Sequence, residues 1–118
     1  MAILPEPRSG CPIAGTLDIV GDRWTLVIIR DMVTGKKRFS EFLASPEKIT
    51  TSVLANRLVL MEQHGLVIKA AYQSNPKRFD YTLTPKGQAL LPVAQEMCRW
   101  ANSFVADTWI PPASFMKK

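Results

Sequence analysis

FSEFLASPEKITTSVLANRLVLMEQHG, residues 39–65, is the stretch of sequence that decides the fold. Phe42 lies on the apolar face of a short predicted helix, and Pro46 prevents that helix from continuing. Thr50 suits the N-cap of a longer helix, which Gly65 ends. A short helix, a tight turn containing proline and a longer capped helix together predict a helix-turn-helix.

The second helix of this motif, Thr50 to His64, is the predicted recognition helix. Its apolar residues repeat at helical spacing and predict the buried stripe Leu54, Leu58 and Met61. Short hydrogen-bonding side chains occupy the opposite face of the first two turns, where such helices contact base edges in DNA. These candidate base-contacting residues are Thr51, Ser52 and Asn56.

Two helices are predicted before the motif. Proline at the first helical position favours a helix over residues 12–20, which Gly21 ends. Asp22 is a suitable N-cap for a second helix, which Gly35 ends and which should bury Trp24.

A hairpin and a long helix are predicted after the motif. Residues 66–72 and 79–83 are rich in β-branched and aromatic side chains, and residues 73–78 between them carry turn chemistry. A helix should then run over residues 84–107 with a local kink at Pro92. Residues 111–118 are predicted to form a disordered tail.

Composition bounds the class of protein. The 118 residues predict one domain over residues 1–110, and a formal net charge of +5 suits a polyanionic partner. The N-terminus lacks a leader pattern and no apolar run could span a bilayer, so a soluble cytoplasmic protein without membrane contact is expected. Two cysteines and one histidine provide neither a metal site nor a catalytic set, so the sequence predicts no enzyme, metal or cofactor.

Several blocks of the sequence, in order, resemble the HxlR-type (DUF24) regulators, which are relatives of the MarR group. The resemblance implies a mainly α (α+β) winged helix-turn-helix with a two-stranded β wing. It further implies a homodimer paired through terminal helices at about 11–20 and 84–107, with a DNA-reading part at about 36–84. Trp100 also stands where the family usually has a tryptophan. The matching blocks are CPIAGTLDIVGDRW (11–24), RFSEFL (38–43), LANRLVLMEQHGLV (54–67) and FDYTLTPKGQALLP (79–92).

Basic and polar residues around the recognition helix are candidates for phosphate or minor-groove contacts. Such contacts supply affinity and salt dependence but little sequence information. For Arg57 an alternative is open, because it could instead tie the recognition helix to its own domain. Whether Arg78 faces DNA depends on the twist of its strand. The candidates are Arg38, Lys48, Thr50, Arg57, Lys77 and Arg78.

Cys11 is a candidate redox sensor. The unpaired backbone amides at a helix N-terminus favour a thiolate, and Arg8 is close in sequence. In some members of the resembled family a cysteine at this place senses oxidants or electrophiles, while in others it has no such role. The alternative is a small side chain that only fits between helices. For Cys98, which follows Met97 of the predicted helical seam, a packed interface residue is the favoured interpretation.

The sequence thus favours a homodimeric transcription regulator that binds double-stranded DNA at a pseudo-palindromic operator, with redox control through Cys11 as a hypothesis and any effector left open. The alternative is a winged helix used for protein contact or non-specific nucleic-acid binding. Polar residues at Thr51, Ser52 and Asn56 argue against protein docking, whereas Val59 favours it.

Overall fold

A computed structural model describes residue 4 and residues 6–118 of the chain, so the first residues of the domain expected from Met1 lie outside the described part. The described chain forms a helix-turn-helix followed by a β hairpin and a C-terminal helical region. The elements are α1 (Pro12–Val20), α2 (Thr25–Val33), α3 (Phe39–Leu43), α4 (Thr51–Gln63), β1 (Val67–Ser74), β2 (Lys77–Leu83), α5 (Pro85–Gln88), α6 (Leu91–Phe104) and α7 (Ala113–Met116).

One hydrophobic cluster joins α2, α3 and α4 to the base of the hairpin. Burying an aliphatic or aromatic side chain of this kind stabilises the fold by about 1.5–3 kcal/mol. The predicted inward stripe of α4 is confirmed, since Leu54, Leu58 and Met61 are all buried. The cluster consists of Ile28, Ile29, Phe42, Ile49, Leu54, Leu58, Met61, Leu66 and Val67.

Helix α4 has the ends that the sequence predicts. The Thr50 side chain accepts a hydrogen bond from the Val53 amide at 3.4 Å, which caps the N-terminus. At the other end Gly65 has a φ of +74°, a left-handed conformation that favours glycine. These two residues fix the length of the helix and the point at which the chain turns into β1.

The hairpin is longer and its turn tighter than the sequence suggested. Strands β1 and β2 pair antiparallel from Val67 opposite Leu83 to Ser74 opposite Lys77. The expected six-residue turn over 73–78 was too long, because strand pairing continues until only Asn75 and Pro76 remain between the strands. This hairpin is the wing of a winged helix-turn-helix, and with the helices it makes a mainly helical α+β fold.

Helix α2 begins later than predicted. The expected N-cap, Asp22, does accept hydrogen bonds from the Trp24 and Thr25 amides, at 2.9 and 3.0 Å. Those bonds stabilise a turn before the helix, so the helix itself starts only at Thr25. Trp24 is half-buried against the cluster rather than fully buried as predicted.

The predicted single helix over 84–107 is divided into α5 and α6, and α6 ends at Phe104. Pro92 explains the break, since its ring would clash with the carbonyl four residues earlier, which belongs to Gln88. The chain tightens instead, and the Leu90 amide donates to the Gly87 carbonyl at 3.1 Å. Residue 87 must be glycine, because a Cβ there would lie 2.1 Å from the Leu66 carbonyl oxygen.

The prediction of a disordered tail over residues 111–118 is also wrong, because α7 forms there and packs against the domain. Phe115 is buried. The Gln95 side chain, itself buried on α6, donates to the carbonyls of Phe115 and Met116 at 3.0 and 3.2 Å. An aromatic anchor and a buried amide therefore hold the last turn of the chain.

None of the helices described in the structure has the length and apolar character needed to cross a membrane.

Candidate nucleic-acid interface

The outer face of α4 presents polar side chains to solvent. Thr51, Ser52 and Asn56 are all exposed on its first two turns. Because the inward stripe of the same helix is buried, these side chains point away from the core. Val59 is a large apolar residue that is also exposed on this helix, and the smaller Ala55 is exposed as well. A helix of this length with such a face fits the major groove.

The entry to α4 carries a cation in an unusual conformation. Lys48 has a φ of 61°, in the left-handed region that costs energy for a residue with a side chain. Its amide donates to the Ser45 carbonyl at 3.0 Å, which holds the turn. Lys48 and Thr50 are both exposed. The structure therefore places a cation and a hydroxyl at the N-terminal end of the recognition helix.

The wing presents further cations beside its turn. Lys77 and Arg78 begin β2, and both are exposed. The Lys77 ammonium lies 5.7 Å from the centre of the Phe79 ring, and that of Lys69 lies 4.6 Å from the same ring. These cation–π contacts support the long side chains without neutralising their charge. Such a wing is suited to lie along a phosphate backbone.

Arg38 is bonded to the wing. Its Nε donates to Asp80 Oδ1 at 3.0 Å, and its guanidinium carbon lies 3.8 Å from the centre of the Tyr72 ring. The hydrogen bond from Arg38 to Asp80 raises the pKa of the guanidinium. Lys37 Nζ is 3.8 Å from the same carboxylate. Arg38 thus links the start of α3 to both strands of the wing.

Arg57 is bonded within the domain, in agreement with the alternative that the sequence left open. Its Nη1 lies 3.5 Å from Asp22 Oδ2, and its Nη2 donates to Asn56 Oδ1 at 2.9 Å. Burial by itself would raise the pKa of Asp22, but the hydrogen bonds from Thr25 and Trp24 and the charge of Arg57 lower it overall. Asp22 therefore stays ionised as a partner for Arg57.

Sequence reasoning missed Arg23. It is exposed, and it lines an open groove of about 450 Å³ together with Ser52 and Asn56 of α4. Its guanidinium carbon lies 5.8 Å from the centre of the Trp24 ring. No helical periodicity marks Arg23, because it lies in the turn before α2. Only the packing of that turn beside α4 brings it to this surface.

Cys11 is exposed and is the N-cap residue of α1. Its amide donates to Ser9 Oγ at 3.2 Å. The neighbouring cation is engaged elsewhere, since Arg8 Nε lies 2.6 Å from Asp18 Oδ1. Cys98 is half-buried on α6. The two thiols differ in exposure, and Cys11 is the more accessible to a solution oxidant.

Apolar side chains are exposed on the outer faces of α1 and α6. Ile13 and Leu17 are exposed on α1, and Met97 is exposed on α6. Trp100 is 62% and Phe104 74% exposed, and their ring centres are 5.6 Å apart. Large aromatic side chains clustered at a surface are typical of a protein–protein interface.

Residues 19–108 match the model of a family described as HxlR-like helix-turn-helix. The chain belongs to this family. The HxlR-like resemblance stated from the sequence blocks, with its winged helix-turn-helix fold, is therefore confirmed. Members are transcription regulators that bind DNA, so this HxlR-like protein is a DNA-binding regulator of the same kind.

Relatives of this HxlR-like chain support the assignment. It is 35% identical over 96 residues to the uncharacterised HTH-type transcriptional regulator YybR of Bacillus subtilis, covering 81% of this chain and 77% of YybR. It is 38% identical over 95 residues to the regulator YodB of the same organism, covering 80% of this chain and 85% of YodB. The reduced form of the redox regulator HypR superposes with a TM-score of 0.72 at 34% identity, covering 79% of this chain and 92% of HypR.

Two of these relatives have been studied in more than one chemical state. HypR has been solved in reduced and oxidised forms. YodB has been solved in reduced, diamide-treated and quinone-bound forms. Redox response therefore occurs among relatives with this fold.

Proposed function

We propose that this protein is a homodimeric transcription regulator that recognises a pseudo-palindromic operator with the first two turns of α4. The observation that carries the proposal is the exposure of Thr51, Ser52 and Asn56 on a helix whose opposite face is locked into the core. Short donors and acceptors at this position suit base edges in the major groove. In a two-fold dimer the two helices would meet half-sites about 34–36 Å apart, one turn of DNA.

The exposed apolar residues of α1 and α6 support the dimer. Trp100 and Phe104 offer a large aromatic area on α6, and Ile13 and Leu17 offer a second apolar area on α1. A two-fold interface uses the same surface on both partners, so one self-complementary apolar surface is sufficient. Pairing through these helices would leave α4 and the wing unobstructed.

We assign the phosphate contacts to basic and hydroxyl side chains that the domain leaves exposed. Lys48 and Thr50 stand at the entry of α4, and Lys77 and Arg78 stand at the turn of the wing. Arg23, beside the recognition helix, joins them. Contacts of this kind fix the register of a protein on the duplex, while the base contacts specify the sequence.

We further propose that oxidation of Cys11 regulates binding. Its exposure at the start of α1 supports this role, because α1 also carries part of the proposed dimer surface. The occurrence of redox-responsive relatives supports it as well. An oxidised Cys11 would change the contacts of α1 and hence the spacing of the two reading helices.

The test is to select genomic DNA fragments with the purified protein, reduced and oxidised, and to measure affinity for the retained sites. Asn56→Ala should weaken binding to the selected site and relax the sequence preference at one base pair. Glu62 is exposed on the last turn of α4, and Glu62→Gln should leave the sequence preference unchanged. Salt-sensitive binding without sequence preference would refute the proposed function.

The redox part is tested with the selected operator, diamide and glutathione. Diamide takes up two hydrogens, one from the Cys11 thiol and one from glutathione, and the two sulfur atoms are joined in a mixed disulfide. The affinity of the wild type should change on oxidation, that of Cys11→Ser should not, and Cys98→Ser should behave as the wild type. Equal responses of the wild type and Cys11→Ser would end the role of Cys11 but leave DNA recognition intact.

A further inference from the structure

We infer that Arg57 and Asp22 are positioning residues that fix the orientation of the Asn56 amide, and so determine sequence preference at one base pair without contacting DNA. This inference rests on the proposed function, in which Asn56 contacts a base edge. It assigns to Arg57 a role different from that of a phosphate contact.

The three side chains form a continuous relay from the turn before α2 to the outer face of α4. Asp22 lies 3.5 Å from Arg57 Nη1, and Arg57 Nη2 donates to Asn56 Oδ1 at 2.9 Å. Both charged members are largely covered, with side-chain exposures of 24% for Asp22 and 26% for Arg57. A partly covered ion pair is less screened by solvent than an exposed one. The ion pair between Asp22 and Arg57 is therefore only partly screened by solvent.

The orientation of the Asp22 carboxylate is held by several hydrogen-bond donors. The Trp24 and Thr25 amides donate to Oδ2, and the Thr25 hydroxyl, which is buried, donates to Oδ1. These bonds leave the carboxylate one orientation, and in that orientation it meets Arg57. The guanidinium is rigid and planar, so anchoring one nitrogen also directs the other.

The relay acts on the chemistry that Asn56 presents. An asparagine amide has an oxygen that accepts and a nitrogen that donates, and an exposed asparagine can turn either toward a base. Arg57 donates to the oxygen, so we assign Nδ2 as the group that donates to a base, and Asn56 lines a groove together with Ser52 and Arg23. A fixed amide needs no reordering on binding and discriminates better between bases than a rotating one.

A phosphate contact by Arg57 would have a different signature. Loss of such a contact weakens binding to all sequences and makes the salt slope, d log K/d log[salt], less negative by about one unit. Loss of a positioning residue changes base preference and leaves the salt slope unchanged. The two roles are therefore separable by experiment.

The experiment compares Arg57→Ala, Asp22→Asn and Asn56→Ala with the phosphate control Lys48→Ala, using site selection and affinity measured against salt concentration. Arg57→Ala should relax the base preference at the same position as Asn56→Ala does. It should lower affinity for the best site about 5–20-fold and keep the wild-type salt slope. Asp22→Asn should act in the same direction more weakly. Lys48→Ala should reduce the slope and keep the base preference.

A second measurement needs no DNA. In the NMR spectrum of the free protein the side-chain amide of Asn56 should be ordered, and it should become mobile on a nanosecond timescale in Arg57→Ala, while backbone order in α4 is unchanged. Amide mobility equal in both proteins would overturn the inference, as would a reduced salt slope with intact base preference in Arg57→Ala. Failure of the wild type to select any sequence would overturn the proposed function as well, whereas the other results overturn the relay alone.

Discussion

Replacement of Trp100 by alanine is the sharpest test of the proposed dimer. The side chain lies on the exposed face of α6 beside Phe104, with 62% of its surface open to solvent. Helix α6 has its own buried contacts through Ala94 and Gln95 on the opposite side. The substitution should therefore change association without unfolding the domain.

The expected magnitude follows from the exposed area. An aromatic side chain presents roughly 150–250 Å² when fully open, so about 150 Å² of Trp100 is available to an interface in each protomer. At about 25 cal/mol per Å², covering both copies in a two-fold dimer contributes up to about 7.5 kcal/mol. Allowing for incomplete burial and the residual Cβ, we expect a loss of about 4 kcal/mol, or about a thousandfold in the dimer Kd.

Sedimentation velocity over a range of protein concentrations measures this change directly. Trp109→Ala is a matched control, because Trp109 is 65% exposed but lies after α6, facing a groove with Arg30 and Glu47. The wild type and Trp109→Ala should be dimers at micromolar concentration, where Trp100→Ala should be monomeric. Equal dimerisation of all three proteins would refute the assignment of the interface to α6.

Three further outcomes are expected. Asp80→Asn should weaken the hold of Arg38 on the wing, so that amide exchange rises in β1 and β2 but not in α4 when followed by mass spectrometry. Phe115→Ala should release α7, giving fast exchange at residues 113–117, while Lys117→Ala, at an exposed position, should not. The pKa of Asp22 is lowered from 3.8, so its contribution to stability is present above that value and lost as pH falls through the lower folded pKa. Urea unfolding of Asp22→Asn should therefore show a flatter pH dependence than the wild type below about pH 4.

The elements that the sequence predicted well are those specified by neighbouring residues. Helix α4 was predicted with its ends because its cap, its inward stripe and its terminal glycine all lie within it or beside it. The length of the wing was underestimated, because pairing between the strands holds Ser74 in an extended conformation, although serine favours a turn in isolation. The order of Phe115 could not be predicted, because it depends on Gln95 of another helix.

The same distinction applies to the candidate site. The exposure of Thr51, Ser52 and Asn56 followed from helical periodicity alone. The partners of the cations did not, because Arg38 meets a carboxylate that lies 42 residues away in the chain. Arg57 likewise meets Asp22 only after α4 packs beside the turn before α2.

These ion pairs change what the net charge of +5 implies for DNA binding. Arg38 and Arg57 are paired with carboxylates, and the exposed cations to which we assign phosphate contacts are Arg23, Lys48, Lys77 and Arg78. Each phosphate neutralised contributes about −0.9 to the salt slope, so four cations in each of two protomers predict a slope near −7. Two more arginines per protomer would make it about −11. Operator affinity measured from 50 to 300 mM salt separates these values, and a slope near −11 would mean that Arg38 and Arg57 leave their carboxylate partners when the protein binds DNA.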